Sequence, residues 1–130
     1  MNATAKTDYL LLVLCRKLIL EFFLILAKLS CVDGALILNN NFKPLSFGAR
    51  LRSNQWNGKV VLGPNRSFPG GAVFPTANLG TRHNSAIEFI GESDRAIAFV
   101  VSQDGPIRGF VKKDKDTILC WPDCRYSMFV

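Results

Sequence analysis

GTRHNSAIEFIGESDRAIAFVVS, Gly80 to Ser102, is the stretch that decides the fold class. Ala86, Ile87, Phe89 and Ile90 recur at helical spacing. They predict a helix from about Arg82 to Gly91, with Thr81 as its N-cap. Gly91 and Ser93-Asp94 end it. RAIAFVVS, Arg95 to Ser102, is a short apolar run of the kind that forms a buried strand. A helix followed at once by a buried strand predicts a mixed α/β domain.

Working outward, QDGP (Gln103 to Pro106) is a tight turn and Ile107 to Val111 is the return strand. Thr117 to Trp121 is a further short strand. Upstream, Ala35 to Leu38 suits a buried strand and Asn39, Asn40 and Asn41 make a turn. Lys43 to Leu51 is its partner, so the two form a hairpin. Arg52 to Asn78 is rich in Gly, Pro and Asn, with a short strand at Lys59 to Leu62. It is read as a long surface excursion, and loops of that length in compact domains often carry function. No internal repeat is visible. The expected order is a helix, a hairpin, a helix and a meander, forming a single mixed β-sheet flanked by helices.

The run YLLLVLCRKLILEFFLILAKLSC, Tyr9 to Cys31, invites a membrane assignment. Arg16, Lys17, Glu21 and Lys28 interrupt it, so no stretch of about 18 uncharged apolar residues exists. A signal peptide fits poorly, because its apolar core would contain Glu21 or stop at Arg16. On a helix, Lys17, Glu21, Leu24 and Lys28 fall close together on one face. The other faces are almost wholly apolar, the pattern of a helix buried on most sides with one narrow solvated stripe. We therefore expect a core helix packed on a sheet. Membrane attachment is the alternative.

The chain of 130 residues fits one domain, with the helix at 1–31 and an α/β core at 32–130. Hydrophobic residues make up 48% and charged residues 20%, a balance that argues against disorder. The net charge of +6 favours an anionic partner: a nucleotide, a nucleic acid or an anionic membrane. The basic residues are scattered and no RNP-like aromatic motif occurs, which sets nucleic acid aside. Cys15 and Cys31 lie in apolar runs, where a thiol behaves as a small hydrophobe. Cys120 and Cys124 have only His83 elsewhere to complete a zinc site, and their spacing suits one poorly. Reduced cysteines in a cytoplasmic protein are expected, with a Cys120–Cys124 disulfide as the alternative.

The chemistry gathers at the helix start. A helix N-terminus carries unpaired N–H groups and partial positive charge. Gly80, Thr81, Arg82 and His83 add close backbone approach, a hydroxyl, a guanidinium and an imidazole, all suited to phosphate oxygens. An ordinary capped helix with a surface arginine is the competing explanation. Asp33, at a helix–strand junction and followed by Gly34, can bind a divalent cation. Alone, Asp33-Gly34 is a common turn, and the signal lies in its pairing with the helix start.

VDGALIL, then LGTRHNSA, then AIAFVVSQDGPI resembles, in order, the diadenylate cyclase (DAC) domain, the nucleotide-binding domain of the DNA-integrity scanning protein DisA and its relatives. The resemblance covers roughly Leu29 to Trp121. Each motif is short, and the ordered set is what makes it specific. It implies a DAC-like, DisA-type fold that condenses two ATP molecules into cyclic di-AMP with Mg²⁺ or Mn²⁺. It further implies a homo-oligomer in which two domains meet face to face, each holding one ATP or another adenine nucleotide. On that resemblance Asp33 binds the metal and helps activate a ribose 3′-hydroxyl. Gly34 and Ala35 lie along the nucleotide. Gly80, Thr81, Arg82 and His83 hold phosphates at the helix N-terminus, and Ser102 approaches them.

The chain also departs from the pattern. Asn84 stands where the family has a second arginine after the histidine, and Gln103 where an acidic residue follows Val-Ser. The segment from Asp33 to Gly80 is longer than in typical cyclases. These changes bear on catalysis more than on nucleotide binding. Three functions follow as alternatives: a diadenylate cyclase, a catalytically silent nucleotide-binding sensor module, and a membrane-surface or interaction protein using its N-terminal helix.

Overall fold

A computed structural model describes residues 3–30, 34–52, 54–102 and 105–124. The chain divides into two compact units, Met1–Arg50 and Leu51–Val130.

The first unit holds α1 (Ala3–Ser30) and a hairpin of β1 (Ala35–Leu38) and β2 (Pro44–Ala49). The asparagine turn forms as expected. Asn39 Oδ1 accepts from the backbone N–H of Asn41 at 2.9 Å and of Lys43 at 3.0 Å. That side chain does the work of a backbone turn, and Phe42 takes a positive φ of 58° beside it. Gly34 is required by geometry: its φ is +109°, and a Cβ would lie 2.5 Å from the Gly48 backbone.

Two expectations for this region are corrected. The hairpin does not join one sheet with the later strands; β1 and β2 form a separate two-stranded sheet. Register shifts flank Ile37 on both sides, and Pro44 has no N–H to offer a further strand. The second correction concerns burial. The helix is present, but from Ala3 to Lys28 every side chain is exposed except Leu26, which is partly covered. A hairpin with strands of four and six residues offers too little surface to cover a 28-residue helix that is apolar on most sides. No helix among the described residues is long and apolar enough to cross a membrane.

The second unit is a four-stranded mixed sheet in the order β3-β6-β5-β4. Its strands are β3 (Lys59–Leu62), β4 (Ile97–Val101), β5 (Ile107–Asp114) and β6 (Thr117–Trp121), with α2 (Thr81–Glu92) between β3 and β4. β3 pairs in parallel with β6, while β5 is antiparallel to both β6 and β4. β3, β6 and β4 therefore point the same way. The segment β3–α2–β4 is a crossover between the sheet's two edges, and the β5–β6 hairpin fills the space between them.

The core lies between α2 and one face of this sheet. Ala86, Ile87 and Ile90 meet Val60, Val100, Phe110, Ile118 and Cys120. Phe110, Ile90, Ile118 and Cys120 are fully buried. Ile97, Phe99 and Val101 alternate onto the other face of β4 and are exposed. Gly91 lets the helix seat on Trp56, whose indole a Cβ there would overlap. The Arg52–Asn78 excursion is consequently less superficial than expected. Trp56 and Phe74 pack against the core, and Phe74 N–H donates to Val60 O at 2.9 Å. Large apolar side chains at intervals hold a Gly/Pro-rich segment onto the domain.

Candidate functional site

α2 begins one residue earlier than the expected Arg82, at Thr81, and its N-cap is Gly80 rather than Thr81. Gly80 is extended, with φ −72° and ψ 170°, and no side chain caps the helix. The first N–H groups of α2 thus lack the internal acceptor that a Ser, Thr or Asp cap supplies. Asn84 secures the entry to the helix. Its backbone N–H donates to Gly80 O at 3.1 Å, and its side-chain Nδ2 donates to Leu79 O at 3.1 Å. The Asn84 side chain therefore ties down the turn before the helix.

The crossover topology brings this helix start to the end of the sheet where β4 stops and β5 begins. A cavity of about 380 Å³ opens there. Asn78 to His83, Val100 to Ser102 and Arg108 line it. Open α/β sheets hold their ligands at this place, beyond the carboxyl ends of strands and next to a helix N-terminus. Gly80, Thr81, Arg82, His83 and Ser102, all expected as phosphate contacts, are brought together. Gly34 and Ala35 belong to the other unit, at the start of β1. Asp33, expected as the catalytic and metal residue, lies outside the described residues.

Arg108 is the cavity-lining residue that sequence reasoning missed. It sits on β5 opposite Val100, on the face that α2 covers. Its Nη1 lies 2.9 Å from His83 Nε2. A guanidinium only donates, so His83 Nε2 is the acceptor and the neutral ring carries its proton on Nδ1. The ring is buried, at 6% exposure, and packs edge-on to Phe110 with 6.5 Å between centroids. Burial, and then the neighbouring Arg108 charge, hold the His83 pKa below the ordinary histidine value of 6.5. A signal for Arg108 exists in the sequence. In IRGFVKK, Arg108 shares the strand face of Phe110, so a charge stands where the period of two calls for an inward residue.

The His83 shift has a defined consequence for stability. The folded pKa is lower than the unfolded one, so the unfolded chain takes up the extra proton. The contribution is fully present above pH 6.5 and is lost as pH falls below it, through the depressed folded value. Thermal melts across that window should show the melting temperature falling with acidification. His83→Gln should remove the part of the slope that belongs to this ring. An unchanged slope in the variant would show that His83 is not buried in its neutral form.

The donor set around the cavity suits an anion. Arg82 and Arg108 are cationic, Thr81 and Ser102 carry hydroxyls, and the helix adds N–H groups. A divalent cation finds no carboxylate in that lining, and the described residues contain no group of three His, Cys, Asp or Glu side chains able to hold a metal. The described cysteines Cys15, Cys120 and Cys124 are free thiols. Burial pushes Cys120 up to about 12, which makes it an inert core residue. No protein-family model, no curated protein and no solved structure matches this chain.

Proposed function

We propose that this domain binds an adenine nucleotide by its phosphates at the α2 N-terminus, in the manner of a diadenylate cyclase domain. The supporting observation is the cavity at the start of α2, which no side chain caps, where two guanidiniums, two hydroxyls and the first helix N–H groups converge. All of these groups can donate hydrogen bonds, and a triphosphate offers them anionic acceptors.

In the synthase form, two domains face each other and each holds one ATP. The 3′-hydroxyl of each ribose attacks the α-phosphorus of the other nucleotide, and pyrophosphate leaves from each. Cyclic di-AMP and two pyrophosphates result. The Mg²⁺ or Mn²⁺ ion of that reaction would supply charge neutralisation and a more acidic hydroxyl. The chain's own part is to hold the phosphates: Thr81, Arg82 and the α2 N–H groups grip them, and Ser102 closes the β4 side.

A second form, a sensor that binds the nucleotide without joining two, is favoured by one observation. Asn84 spends its side chain on the Leu79 carbonyl and brings no charge to the phosphates. Incubating the protein with ATP and Mn²⁺, then separating the nucleotides by chromatography, tests the proposal. Cyclic di-AMP identifies the synthase, and protein-bound ATP with no product identifies the sensor. Neither bound nucleotide nor product overturns both.

A further inference from the structure

We infer that Arg108 is the deep anion contact of the α2 cavity, and that His83 is a positioning residue which holds the Arg108 guanidinium in place rather than a phosphate ligand in its own right. This deepens, and rests on, the assignment of the cavity as a phosphate site.

Arg108 reaches the cavity from β5, one residue beyond the last motif of the DAC resemblance. Its guanidinium is half-satisfied. Nη1 donates to His83 Nε2 at 2.9 Å, while Nε is buried and has no hydrogen-bond partner. No carboxylate pairs with Arg108 among the described residues; Lys112, further along β5, pairs with Asp94 at 3.6 Å. Among the described residues the hydrogen-bond partner of Arg108 is a neutral imidazole, which does not balance its charge. An oxyanion entering the cavity supplies what is missing. It would meet Arg108 on one side and Arg82 with the α2 N–H groups on the other.

The role of His83 follows from the same bond. While Arg108 donates to Nε2, that nitrogen cannot offer a proton to a phosphate. The ring is 6% exposed and wedged against Phe110, so it has little surface for a ligand. What it does is fix a long, flexible side chain in one orientation.

Calorimetric titration of the full chain with inorganic pyrophosphate, and separately with ATP, tests this. The proteins are wild type, Arg108→Gln, His83→Ala and the double variant, each checked for folding by its melting transition. Should Arg108→Gln fail to fold, Arg108→Ala carries the same test. We expect Arg108→Gln to weaken pyrophosphate binding tenfold or more, as loss of a charge-assisted contact does. His83→Ala should weaken it by a smaller factor. The double variant should bind no worse than Arg108→Gln alone, because a positioning residue has nothing left to position. Wild-type affinity in Arg108→Gln overturns the inference and leaves the nucleotide proposal standing. Multiplying effects in the double variant overturn the positioning role of His83. Pyrophosphate binding that depends on Arg108, without ATP binding, supports the inference and overturns the nucleotide proposal. If wild type binds neither anion, both fall.

Discussion

Phe110→Ala should destabilise the Leu51–Val130 unit by about 3–5 kcal/mol, the usual cost of truncating a fully buried phenylalanine. Phe110 has no exposed surface and lies in the middle of β5, paired with Ala98 on β4 and Cys120 on β6. It contacts the core that α2 closes, so little can collapse into the space its ring leaves. Domains are stable by only about 5–15 kcal/mol, so the loss is a large share of the total. In urea unfolding the midpoint should fall while the slope stays constant, the sign that stability alone has changed. The ring also braces His83, so anion affinity should fall in the same variant. A loss below about 1 kcal/mol would mean that the site relaxes and that the packing of α2 on β5 is not the centre of the domain.

Arg82→Ala should weaken ATP binding by about 1.5–3 kcal/mol, the range for a hydrogen bond to a charged group. That is roughly a tenfold to hundredfold loss in affinity. Arg82 is exposed, in the first turn of α2, and lines the mouth of the cavity. Exposure predicts that its substitution leaves the fold intact. The effect should therefore appear in ATP titrations and not in melting curves, the reverse of Phe110→Ala. It should also shrink as salt rises, because charge is screened at the surface. Equal affinities for wild type and variant would make Arg82 an ordinary solvated residue on an ordinary helix.

Much of this was legible in the sequence, for identifiable reasons. β1, β3 and β6 occur at the expected residues, and α2 differs from expectation by one residue at each end. The strands are short apolar segments and α2 carries one apolar face, each flanked by Gly, Pro or Asn on at least one side, where pattern and punctuation agree. β5 runs on to Asp114, beyond the expected Val111, because the Asp114 carboxylate accepts from Asp116 N–H at 3.0 Å and shapes the turn into β6. Non-local pairing was the illegible part. Nothing in Lys59–Leu62 or Thr117–Trp121 states that they lie side by side in parallel, and nothing in the hairpin states that it stands apart. The burial of α1 was misjudged for a related reason. An apolar pattern shows what a helix could bury, not whether the chain supplies a surface to cover it. At the site, the helix start was visible in Gly-Thr-Arg-His. Arg108 was not, because it arrives 25 residues after His83 through the pairing of β5 with β4.

The central claim is that a nucleotide's phosphates sit at the start of α2. Backbone amide chemical shifts, followed by NMR as ATP and then adenosine are added to the full chain, test it most directly. ATP should move the amides of Thr81, Arg82, His83 and Ser102, and adenosine, which has no phosphate, should move them far less. ATP shifts that leave these four amides unmoved, or adenosine shifts as large as those of ATP, would contradict the claim.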